Sequence, residues 1–162
     1  MKHPEPTANS ATDAQEIAQQ ADVELAILLS IEHSLRIALQ WMTRDRGNSH
    51  KLATLRFTAR SFERHLTRTR VLADHGGYMH SITDVNPHLA GKVRALSEVR
   101  EELQADFERI ILRLEYVSPD NAPAFGEVCG ALERYLEQLK THGQTERELL
   151  QHSFVQEEGG EG

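Results

Sequence analysis

Apolar residues return at every third or fourth position through four long stretches of the chain, and no segment alternates with period two for long enough to make a strand. The spacing predicts a first helix over about 13–44, capped at Thr12 or Asp13, with Val23, Leu25, Leu28, Leu29, Leu35, Leu39 and Met42 inward. The segment "DRGNS" ends it, and a second helix over about 50–74 carries Leu52, Leu55, Ala59, Phe62, Leu66 and Leu72. Paired glycines and a proline in "HGGYMHSITDVNPH" interrupt the pattern. The third helix opens near Pro87, a residue suited to a first helical turn, and runs to about 117 on Leu89, Val93, Leu96, Val99, Leu103, Phe107, Ile110 and Leu114. After the stop and restart in "SPDNAP", a fourth spans about 123–154 on Phe125, Val128, Leu132, Tyr135, Leu139, Leu149 and Phe154. Four such amphipathic helices pack most economically as an all-α, up-down-up-down four-helix bundle.

The polar ends, 1–12 and 156–162, lack this periodicity and are expected to be loose tails around one domain over 13–155, in keeping with a length of 162 residues. A formal net charge of −7 and the absence of Lys/Arg runs argue against a nucleic-acid partner. The longest apolar run, "LAILL", is too short to span a membrane, and "MKHPEPTANSATD" has no apolar targeting core. Cys129 stands alone in "GEVCGALERYL", where it reads as a small buried residue; a cytoplasmic setting fits. No serine or cysteine lies in a nucleophile motif, "HGG" lacks the context of a phosphate-binding loop, and no catalytic residue is assigned.

The informative residues are polar ones on apolar stripes. In "YLEQLKTHGQTERELL" the inward stripe of the fourth helix lands on His142 and Glu146, whose i, i+4 spacing lets imidazole and carboxylate reach one shared atom. The first helix places Glu32 and His33 among leucines, and the second places His65 between Phe62, Leu66 and Thr69. Histidine and carboxylate on facing helices are how bundle cores hold non-haem iron or zinc. Each residue also has a plainer reading: Glu32 pairs with Arg36 on its own helix, and each histidine is a satisfied core residue. His50, His75, His80, His88 and His152 fall in polar segments and are expected at the surface.

In order and spacing, "IEHSLRIAL", "FERHLTRTRVL", "NPHLAGKVRALSEVREEL" and "YLEQLKTHGQTERELL" resemble the four helices of hemerythrin-like (HHE cation-binding) domains over roughly residues 20 to 155. That resemblance implies an up-down bundle with inward histidines and carboxylates around a non-haem di-iron centre, used for oxygen binding, sensing, or handling nitric oxide and peroxide damage. His33, His65, His142 and Glu146 match its metal ligands. Two other positions depart from it: the glutamate expected four residues after His65 is Thr69, and the third-helix histidine is Val99. The resemblance therefore implies a reduced, mononuclear iron or zinc site in a cytosolic sensor, store or redox-responsive regulator; Glu98 and Glu102 beside Val99, Asp74, His75 and His80 near the end of the second helix, and Glu32 are nearby replacement donors. The alternative is a degenerate bundle that binds no metal and serves as an interaction or structural module.

Overall fold

The computed structural model describes residues 8–42, 47–76, 82–84 and 86–158. They form four long helices, α1 (Ala8–Gln40), α2 (Gly47–Gly76), α3 (Ala90–Tyr116) and α4 (Ala122–Glu158), with a single 3-10 turn, Pro87–Leu89, leading into α3. No strand occurs among the described residues. The helices outrun their expected limits at both chain ends. α1 begins at Ala8, inside the segment expected to be a loose tail, and α4 runs on to Glu158. Residues 1–7, 43–46, 77–81, 85 and 159–162, with His3 and His80 among them, lie outside the described set. No described helix is long and apolar enough to cross a membrane.

The restart at "SPDNAP" is built as its composition requires. Asn121 Oδ1 accepts from the Ala124 amide at 3.2 Å, satisfying one of the orphan donors at the start of α4, and Ser118 Oγ accepts from the Asp120 amide at 3.2 Å. At the other ends, cations from α2 serve the last carbonyls of its neighbours. Buried Lys51 donates from Nζ to the carbonyls of Leu39 at 2.7 Å and Trp41 at 3.0 Å, closing α1. Arg56 does the same for α3 through Leu114, Glu115 and Val117. A positive charge on orphan carbonyls at a helix C-terminus is favourable twice over, as hydrogen bond and against the helix dipole.

Side-chain contacts give the helix directions in pairs. Glu24 meets His65 while Leu39 meets Lys51, so α1 and α2 run antiparallel. Arg56 reaches Leu114 and Arg70 reaches Gln104, so α2 and α3 do too. The Phe107–Tyr135 stack and the Arg100–Glu146 pair set α3 antiparallel to α4. Arg36 ties α1 to α4 through Glu137 Oε1 at 2.6 Å and the Leu136 carbonyl at 3.1 Å.

Two apolar clusters result. The large one draws on all four helices: Leu35, Leu52, Leu55, Phe62, Leu114, Leu132, Tyr135 and Leu136 are essentially inaccessible to solvent. Phe107 holds its aromatic centre, edge-on to Phe62 at 5.5 Å and stacked on Tyr135 at 4.6 Å. Cys129 belongs to this cluster, as expected, and burial pushes its thiol pKa up. The small cluster, Ile82, Leu89, Leu96 and Leu149, joins the start of α3 to the end of α4.

The expected stripes hold on α2, α3 and α4 with one exception, leaving aside Phe154, whose side chain lies outside the described set, and fail on half of α1. Val23, Leu25, Leu29 and Met42 are exposed, and the buried line of α1 is Leu28, Leu35, Ala38 and Leu39. The run "VELAILLSI" is apolar nearly all round the helix, so periodicity alone did not pin its inner face. The exception is Val99 of α3, which is 42% exposed.

Candidate functional site

Between the two apolar clusters runs a polar layer. On α3 the clusters are separated by the turn containing Arg100, between Leu96 and Leu103; on α4 they are separated by His142 and Glu146, between Leu136 and Leu149. His142 is buried, as its place on the stripe predicted, and Glu146 is mostly so, its side chain 19% exposed. Nε2 of His142 lies 3.1 Å from Glu146 Oε1, but the approach lacks hydrogen-bond direction, so this buried nitrogen makes no hydrogen bond. The charge of Glu146 is met instead by Arg100, whose Nη2 donates to the same oxygen from α3. A partly buried carboxylate is stabilised by such a cation, and guanidinium and carboxylate match in geometry.

The other predicted ligands do not join this pair. His33 is exposed on α1, while its neighbour Glu32 turns inward. Glu32 takes the pairing with Arg36 at 2.9 Å that the sequence allowed. His65 is mostly buried, but its Nδ1 sits 2.7 Å from Glu24 Oε2, and the other oxygen of Glu24 is 3.7 Å from Arg68. Thr69 donates its hydroxyl to the His65 carbonyl at 2.8 Å, a bond within its own helix. Val99 lines clefts beside Leu96 and Thr145, and the position facing Glu146 belongs to Arg100. Glu98 and Glu102 are exposed, as are His50, His88 and His152, the last three as expected. Among the described residues, no three His, Cys, Asp or Glu side chains gather closely enough to hold a metal ion.

A residue-level reading of the sequence missed Glu24 and Arg100. Both are long charged residues flanking apolar stripes. Nothing in the spacing marks Glu24 as the partner of a histidine 41 positions away, and Arg100 competes with Val99 for the inward place one turn after Leu96. Tyr135 adds a second buried polar atom without a hydrogen bond, its hydroxyl, and burial raises its pKa well above the ordinary phenol range.

The polar layer opens on one side into a cleft of about 570 Å³ between α1, α2 and α4, with Arg100 of α3 in its wall. Thr69, Glu32, His142 and Glu146 all line it. Comparison with family models, curated proteins and solved structures finds no match.

Proposed function

We propose that the four helices close into an up-down-up-down bundle of hemerythrin-like architecture that works as a metal-independent interaction module in the cytosol. The antiparallel pairing of α1 with α2, α2 with α3 and α3 with α4, closed by Arg36 of α1 on α4, supports the architecture. The observation that carries the functional reading is the Arg100–Glu146 ion pair. A guanidinium supplies the positive charge that a metal ion would otherwise bring to Glu146, and two like charges do not share that place without cost. His142 and Glu146 offer two protein donors at one point, whereas a stable iron or zinc site draws on three or more.

The competing reading, a mononuclear iron or zinc sensor or store, draws on Nε2 of His142, a buried ring nitrogen without a hydrogen bond. Elemental analysis of protein purified without an affinity tag separates the two. The metal-independent module should carry only substoichiometric iron and zinc and keep its helical circular dichroism in chelator. Stoichiometric iron that disappears in the Glu146→Gln variant would overturn it.

A further inference from the structure

The cleft beside the polar layer has the opposite electrostatic sign to the chain. Five basic side chains line it, Arg36, Arg70, Arg100, Lys140 and Arg147, against two carboxylates, Glu32 and Glu146. That is an excess of three positive charges in a chain whose formal net charge is −7. A concave, locally positive surface on an acidic protein concentrates anions. The rest of the wall is aliphatic. Leu25 and Leu29 of α1 face it 45% and 55% exposed, opposite Leu66 of α2 and Leu139 of α4. Apolar surface left to water in a groove gains free energy when an apolar ligand covers it.

We infer that this cleft binds a single-chain amphiphile with a carboxylate head, its tail against the α1 leucines and its head toward the basic side chains. The volume of about 570 Å³ lies within the range of small-molecule sites, roughly 300–1,000 Å³. The net excess of three positive charges in the lining supplies the attraction for the anionic head. Arg36 and Arg100 are engaged by Glu32 and Glu146 and Arg70 donates to Gln104, which leaves the head to Lys140 and Arg147, both exposed. His142, more than nine-tenths buried and lining the same cleft, has in Nε2 a polar atom without a hydrogen bond.

The inference rests on the metal-independent reading in one respect, that Arg100 rather than a metal ion holds Glu146. Calorimetric titration of the full chain with decanoate below its micellar concentration, in chelator, tests it. Decanoate should saturate a single site and bind about tenfold or more tighter than decanol or decyltrimethylammonium, because only the anion gains the basic partners. Lys140→Glu with Arg147→Glu, and separately Leu25→Ser with Leu29→Ser, should each weaken it by about tenfold. All four positions are exposed, so these variants should fold as the parent does, which circular dichroism checks. Equal binding of decanol, indifference to the charge reversal, or no saturable decanoate binding would each overturn the proposal. Metal content measured on the same sample keeps the two readings apart: stoichiometric iron sinks the metal-independent module, while absent decanoate binding in metal-free protein sinks only this inference.

Discussion

The two halves of the helix array are built from the same four amphipathic helices, yet they solve burial differently. Where α1 ends and α2 begins, and where α3 gives way to α4, side chains from all four helices interlock in a dry cluster with Leu35, Leu55, Phe62 and Leu132 fully inaccessible. Toward the other end, α1 withdraws. Val23, Leu25 and Leu29 turn partly to solvent, the small apolar cluster involves only the α3 and α4 side, and Glu24, His65, Arg100, His142 and Glu146 fill the gap with polar side chains. One half specifies the fold by packing; the other gives up packing density and gains a polar cleft.

The sharpest test of that contrast is a pair of truncations. Phe62→Ala, in the dry half and against the Phe107 ring, should cost about 3–5 kcal/mol in urea unfolding. Leu29→Ala, in the open half, should stay within about 0.5 kcal/mol. Comparable losses at both sites would mean that the open half is as tightly packed as the dry one.

Lys51 tests whether the dry half depends on a polar closure. Lys51→Met keeps the aliphatic stem but leaves the Leu39 and Trp41 carbonyls without their cationic donor, and should cost about 1.5–3 kcal/mol. A neutral effect would show that water serves those carbonyls equally well.

In the polar layer the effect is smaller and reciprocal. Arg100→Met strands the Glu146 carboxylate and should cost about 1–2 kcal/mol, discounted because the two side chains retain 22% and 19% exposure. Adding Glu146→Met should restore most of that loss, since an apolar pair replaces an ion pair at little net cost. Additive losses in the double-mutant cycle would mean the two residues do not act as a pair.

The Tyr135 hydroxyl adds no pH dependence near neutrality and a distinct one in alkali. Burial disfavours its phenolate, so the unfolded chain releases this proton at about pH 10 while the folded chain keeps it. The contribution to stability is constant below about pH 10 and falls as the pH rises beyond it. In an alkaline absorbance titration one tyrosine should ionise only together with loss of helical ellipticity. Ionisation of all tyrosines ahead of unfolding would place the Tyr135 hydroxyl in contact with water.

Much of this was legible in the chain. Helical periodicity located all four helices, the turn signals in "SPDNAP" located the α3–α4 break, and the stripes of α2 and α4 named mostly buried residues, with Leu66, Leu72 and Leu139 half-buried, because each has one apolar face. His142 was found inside for the same reason, as a polar residue in register with leucines. Tertiary structure alone decided the rest. Which face of α1 turns inward depends on its neighbours where "VELAILLSI" is apolar on every side, so His33, one position from Glu32, falls outside. Whether Val99 or Arg100 meets Glu146 depends on the rotation of α3 against α4, a matter of one residue's angle that a 3.6-residue repeat leaves open. Periodicity is a property of one helix, but a site is made where several meet, and partners such as Glu24 with His65 are set by distance in space rather than along the chain.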